Sequence, residues 1–391
     1  MLHDYATEFV GWLHNDALPL WWQAGADQIN GGFVETIALD GTATVAARRG
    51  RVQPRQVYCY ALAGRLGWDG PWQEAMLHGL RYFTEKYWVE PGYFGSLVSP
   101  SGAMLDASFD LYNQAFALFG FSQAAQAMPE MHADLETRSR DLLATLRLGF
   151  GHPETGFHND DARSLPLKSN PHMHLFEAAL AWEEIAEDPA PWTALADEIA
   201  QLAMSRFIDA RSGALREFFA GDWSSYAGIE GRIVEPGHQF EWAWLLTRWG
   251  QSRGSADALV KAERLFEIGL RYGICSDRKV AVMALLDDFS THDTTARLWP
   301  QTEWLKSALR LAEVSHGIKR AYYLSAAQAA CSAMQRFFEV PVPGLWRDKM
   351  HADGSFVVEP APASSFYHIA CAIDELRLWS EAERMPQSVA A

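Results

Sequence analysis

Apolar residues recur along this chain at helical rather than strand spacing. In 255–273, Leu259, Ala262, Phe266 and Leu270 fall on one stripe, and in 131–150 Met131, Leu135, Leu142 and Leu146 do the same. The same pattern predicts twelve helices, over 2–24, 54–66, 71–87, 109–125, 132–149, 171–186, 191–207, 237–249, 255–272, 300–315, 319–337 and 365–382. Between them lie turn segments, each a small-residue turn leading into a short aromatic or apolar stretch. They begin at Gly31, Pro91, Thr155, Ser212 and Pro343, with a weaker member near Asp277, and recur about every 62 residues. Twelve helices in six hairpins, with no linker or composition break, predict one all-α domain over 1–391. The expected architecture is an (α/α)6 toroid with short β-hairpins at its mouth.

Every second helix opens with a start signal followed by unusual polar residues. These openings are QPRQVYCY at Arg55, SFDLYNQAF at Asp110, SNPHMHLFE at His174, EPGHQFEWAW at His238, WPQTEWLK at Glu303 and SSFYHIAC at His368. Their successive spacings of 55, 64, 64, 65 and 65 residues repeat the period. In a toroid the inner helices run parallel, so six N-termini converge on one end of the funnel and favour a developing oxyanion there. His174, His238 and His368 are the natural proton carriers, with pKa values expected to be lowered at helix starts. His174–Glu177 and His238–Glu241 share an i,i+3 frame, so each glutamate is expected to orient its imidazole; His368 has Cys371 at that offset. Arg55, Tyr112, Trp299, Glu303 and, most weakly, Arg232 complete the expected site as sugar-binding groups.

Composition narrows the ligand. A net charge of −16 argues against nucleic acid and anionic membrane surfaces, and it agrees with a neutral small molecule. Sixteen tryptophans point beyond core packing to the stacking faces that sugars use. Four cysteines without paired spacing, an N-terminus unlike a signal peptide and the lack of a long apolar run lead to the expectation of a cytoplasmic protein, monomeric or homodimeric. No metal is expected: His172 and His174 point about 200° apart around a helix, and no third ligand stands at a standard spacing. GxGxxG, Walker and GxSxG motifs are absent, so no cofactor is expected.

These motifs together resemble the N-acylglucosamine 2-epimerase superfamily. The resemblance is carried by RVQPRQVY ending at Tyr58, PHMHLFEA around His174, EPGHQFEWAWLL around His238, WPQTEW around Glu303 and SFYHI at His368. It implies an (α/α)6 barrel that interconverts sugars without metal or cofactor, with catalytic histidines at His174, His238 and His368 and a substrate arginine at Arg55. Phe240-Glu241-Trp242 is similar to the aldose–ketose isomerase branch, and His-Met-His-Leu resembles its mannose isomerases. The activity so implied is interconversion of D-mannose and D-fructose, with D-lyxose and D-xylulose as further substrates.

The chemistry requires a base to take the proton on C2 of an opened sugar, giving a cis-enediol or enediolate. Returning the proton to C1 makes a ketose; returning it to the other face of C2 makes an epimer. His368 is expected to shuttle the proton and His238, tuned by Glu241, to open the ring, with the reverse division equally compatible with the sequence. His174 and Arg55 would stabilise charge at O1 and O2. A 2-epimerase on the same scaffold is the nearest alternative. A more distant one is an (α/α)6 glycoside hydrolase, for which Asp110, Glu241 and Glu303 are available.

Overall fold

Half of the helices lack a polar face because they have no solvent side. In chain order the helices are α1 Leu2–Trp12, α2 Leu18–Gln23, α3 Val52–Arg65, α4 Trp72–Lys86, α5 Leu111–Ala127, α6 His132–Thr145 and α7 Ser169–Glu183. They continue with α8 Ala190–Leu202, α9 Pro236–Arg253, α10 Ala256–Gly273, α11 Leu298–Glu313, α12 Gly317–Phe337 and α13 Ala363–Arg384. A π turn, Leu13–Ala17, joins α1 and α2 into one rod, which leaves the twelve helices expected. This computed structural model describes residues 1–90 and 92–384; Pro91, which opens one of the repeated turns, and 385–391 lie outside the described residues.

The odd-numbered helices from α3 to α13 form the inner ring. Each packs against the next, and α13 returns to α3, so the ring closes. Residues all round these helices are buried; in α9 nearly every residue from Pro236 to Gly250 is. The outer helices bury one face, as in α10, where Ala258, Ala262, Leu265, Phe266 and Gly269 point inward. That stripe is rotated by about one residue from the sequence reading, since Leu259 and Leu270 are half-buried. The outermost position beside α13 is taken by α1, so the first and last helices pair. One continuous cluster of buried apolar side chains runs from Leu2 to Trp379.

A recurring glutamine locks four of the six hairpins onto their inner helices. Gln53, Gln114, Gln239 and Gln301 each pair with both backbone groups of one earlier residue: Phe33, Phe94, Leu215 and Ala281, at 2.8–3.0 Å. In α7 the place falls to His172, whose Nε2 accepts from Phe157 N at 3.0 Å while Nδ1 donates to Lys168 O at 2.9 Å. The weak sixth repeat near Asp277 becomes the longest hairpin, Val282–Leu286 against Thr291–Arg297. It is flanked by Ile233–Val234 and Lys349–Met350 in a four-stranded antiparallel sheet. Thr36–Ile37 pairs with Ala361–Pro362, tying the first hairpin to the start of α13.

Candidate active site

All six inner helices open onto one cavity of about 790 Å³. Arg55, Tyr112, His174, His238, Glu241, Trp299 and His368 line it, each from the first turns of its helix. His174 and His368 sit in the second turn of α7 and α13, not at the first residue, so the helix dipole is a minor influence there. Burial is what pushes His174 down to about 4 and holds His368 well below the ordinary imidazole value.

Each histidine has its Nδ1 engaged by a buried carboxylate. His238 Nδ1 donates to Glu217 Oε2 at 2.9 Å, with Glu235 Oε2 at 3.5 Å. His368 Nδ1 donates to Glu303 Oε1 at 2.9 Å. His174 Nδ1 lies 3.4 Å from Glu177 Oε2 and 3.8 Å from Glu241 Oε1. Among the described residues no protein group occupies the Nε2 of any of the three. Burial opposes a charge on His238, but Glu217 and Glu235 outweigh it and push the imidazole up to about 10. His238 is therefore an imidazolium at neutral pH, whereas His174 and His368 are neutral.

The i,i+3 expectation holds for His174 with Glu177 and not for His238 with Glu241. The imidazole of His238 turns toward Glu217, which the Gln239–Leu215 clamp brings beside it and Ser169 Oγ steadies at 2.9 Å. Glu241 is left with no hydrogen-bond partner for either oxygen, and burial followed by the charge of Glu303 raises it well above the carboxylate range. Its carboxyl lines the cavity, with the protonated form favoured by that burial. Glu303, expected among the sugar-binding groups, is fully buried and does not line the cavity; it backs His368 and pairs with Lys306 Nζ at 2.7 Å. Arg232 also lies off the cavity, because its guanidinium is held by Asp287 at 2.8 Å and Asp288 at 2.9 Å.

Arg55 bridges two inner helices, donating to Ser364 O of α13 at 2.8 Å and to Tyr112 Oη of α5 at 2.6 Å, with its guanidinium 4.0 Å above the Phe116 ring. Trp299 stands between two of the histidines, its ring centroid 5.1 Å from His238 and 5.7 Å from His368. It reaches this position against α9 only because residue 237 is glycine: a Cβ there would meet the indole at 2.5 Å. Sequence reasoning missed Glu217, Glu235, Lys306 and Tyr367, the last donating to Glu177. Of these, Glu235, three residues before His238, and Lys306, three residues after Glu303, had a local signal.

Three groups are compact enough to raise the question of a cation: His174, Glu177 and Glu241; Glu217, Glu235 and His238; and Glu241, Glu303 and His368. In each group an imidazole Nδ1 already bonds to a carboxylate, and the ammonium of Lys306 supplies the positive charge beside Glu303.

No helix among the described residues is long and apolar enough to cross a membrane. The fold matches that of a cellobiose 2-epimerase from Bacillus thermoamylovorans B4167, with a TM-score of 0.85, 18% identity and coverage of 97% of this chain and 99% of that one. A D-mannose isomerase crystal structure matches with the same TM-score of 0.85, at 19% identity over 95% of this chain and 97% of that one. At the level of sequence, the chain is 59% identical over 96% of its length to a protein of Rhizobium meliloti (strain 1021) named mannose-6-phosphate isomerase, 97% of which is covered. The model of the N-acylglucosamine 2-epimerase (GlcNAc 2-epimerase) family matches residues 31–372. With that match spanning nearly the whole toroid and its cavity, the chain belongs to the N-acylglucosamine 2-epimerase family of sugar isomerases and epimerases.

Proposed function

We propose that this protein is an aldose–ketose isomerase that interconverts D-mannose and D-fructose, without a metal, by proton transfer through a cis-enediol. The observation that carries the proposal is the pairing of one charged and one neutral imidazole, His238 and His368, each packed against the Trp299 ring. An imidazolium is the acid that ring opening needs, and a neutral imidazole is the base that C2 needs.

In this reading His238 protonates the ring oxygen as the C1–O5 bond breaks, and the imidazole so formed takes the proton of the C1 hydroxyl as the aldehyde forms. His368 Nε2 then takes the C2 proton. The C–H electron pair forms the C1=C2 bond, and the carbonyl pair moves onto O1. Arg55 and the neutral acid of Glu241 stabilise that oxygen, with His174 hydrogen-bonding the neighbouring O2. The proton of the O2 hydroxyl passes to the adjacent O1 oxyanion, and His368 returns its proton to C1 as O2 becomes the carbonyl. A single base on one face suffices for this outcome, while epimerisation needs proton delivery to both faces of C2. Tyr112 holds Arg55 in place, and Trp299 offers an apolar face to the sugar. A cytoplasmic setting belongs to the same reading.

The mannose isomerase names of relatives support the substrate class, and one of them specifies a 6-phosphate. A specific observation favours testing that second reading. Arg49, Arg51, Lys168 and Arg297 also line the cavity; Arg49 and Arg297 are paired with Glu35 and Asp348, whereas Lys168 has no carboxylate within 4.0 Å among the described residues. Purified protein with a chelator present, incubated in heavy water with D-mannose or D-mannose 6-phosphate and followed by proton NMR, tests both readings. The expected product is the ketose, with deuterium incorporated at C1. Formation of glucose ahead of ketose, or a requirement for added metal, would overturn the proposal. A kcat/KM for the phosphate ester well above that for the free sugar, falling with added salt, would select the second reading.

A further inference from the structure

His238 and His368 make the same contact, Nδ1 to a buried carboxylate at 2.9 Å, yet they hold opposite charge states. Their surroundings differ in the charges behind those carboxylates. Beyond Glu303 lies Lys306, fully buried, with its Nζ 2.7 Å from Glu303 Oε2 and 3.8 Å above the centre of the Trp244 ring. No Lys or Arg nitrogen comes within 4.0 Å of Glu217 among the described residues; there a second carboxylate, Glu235, adds to the first.

We propose that Lys306 is a positioning residue that keeps His368 neutral, by neutralising Glu303, and so makes His368 rather than His238 the proton-abstracting base. The proposal rests on the reading of the cavity as a sugar isomerase. Glu303 thereby accepts the hydrogen bond from Nδ1–H and fixes the tautomer that leaves Nε2 as acceptor, without lending its negative charge to the ring.

Burial is the largest influence holding His368 down, followed by Arg55 and then by Lys306. From α3 comes Arg55, a cation, and from α7 the neutral His174 together with Glu177. From α9 come Glu241, which is neutral, and the charged His238 across Trp299. On α13 itself the Cys371 thiol is pushed by burial to about 12 and the Tyr367 phenol well above its usual range, so both are uncharged. Glu303 and Lys306 on α11 are the pair in contact, and Lys306 keeps its proton: burial opposes it, but the charges of Glu303 and Glu177 favour the ammonium. A purely structural lysine would neutralise the acidic floor of the toroid and leave the titration of His368 indifferent to its removal.

The test is a titration of imidazole 15N and 13C shifts in the intact, histidine-labelled protein, with His368 assigned by its loss in His368→Asn. In the wild type, His368 is expected to be neutral with its proton on Nδ1 from pH 8 to below 6.5. A wild-type His368 found as imidazolium at neutral pH overturns the proposal without any variant. In Lys306→Met the ring is expected to titrate about 1–3 units higher, and the acid limb of kcat/KM to move with it. Lys306→Arg is expected to restore both. An unchanged His368 titration in folded Lys306→Met also overturns the proposal. Because the NMR reading needs no sugar, a wrong substrate would leave it standing, while loss of the neutral state would sink it even with mannose turned over.

Discussion

The two histidine stations of the cavity teach more by their difference than by their likeness. His238 on α9 and His368 on α13 both occupy an inner helix, both touch Trp299 and both donate to a glutamate. At His238 two carboxylates and no cation raise the imidazole to about 10. At His368 the glutamate is bound to Lys306, Arg55 adds a second positive charge, and burial keeps the ring neutral. A repeated architecture thus yields an acid and a base from the same side chain by changing only the counter-charges behind it.

The largest expected effects come from removing either station, and the choice of substrate separates them. His368→Asn is expected to lower kcat by about 10²–10⁴ and to abolish solvent-deuterium exchange, on hexoses and on D-glyceraldehyde alike. His238→Asn is expected to lose a similar factor on hexoses but little on glyceraldehyde, which has no pyranose ring to open. Equal losses for both variants on the triose would mean that the two stations do not divide the work in this way.

Arg55→Met comes next. Arg55 reaches both Tyr112 and Ser364 and has a buried Nε without a protein partner, so its loss removes charge stabilisation at the reacting oxygens. A fall of roughly 10²–10³ in kcat on hexoses and triose alike is expected, with the alkaline limb of the pH profile unmoved. A change confined to KM would assign Arg55 to binding alone.

Much of this arrangement was legible in the sequence, and what was not has a physical reason. Helix burial and start signals are local, so the inner and outer helices, and the six openings carrying Arg55, Asp110, His174, His238, Glu303 and His368, could be read from periodicity. The partners behind the histidines come from elsewhere in the chain: Glu217 lies 21 residues before His238, and Glu303 lies 65 before His368. An i,i+3 rule sees only one helix, and so it paired His238 with Glu241 and missed Glu217. The recurring glutamine was the available cue, since Gln239 clamps Leu215 and thereby sets Glu217 against the neighbouring His238. Arg232, in the loop before His238, had no such anchor and turned to Asp287 and Asp288.

Glu217→Gln tests the acid station more gently than deleting His238. The variant keeps an acceptor for His238 Nδ1 but removes the charge that raises the ring. His238 acts while protonated, so its contribution is present below its pKa and lost as pH rises through about 10. With Glu217 neutralised, the alkaline limb of kcat/KM is expected to fall by about 1–3 pH units, with only a small loss at pH 7. An alkaline limb that stays in place would assign that limb to another group.

The smallest effect, and the most direct probe of the boundary between the stations, is Trp299→Phe. Phenylalanine keeps a ring between the two imidazoles but is smaller, and its loss of contact is worth about 0.5–1.5 kcal/mol. A fall of roughly 2–10-fold in kcat/KM is expected, carried mainly by KM, with both pH limbs unmoved because an indole carries no charge to remove. If instead the alkaline and acid limbs draw together, the indole is insulating the imidazolium of His238 from the base at His368. The separation of their charge states would then depend on the wall between them as well as on Glu217 and Lys306.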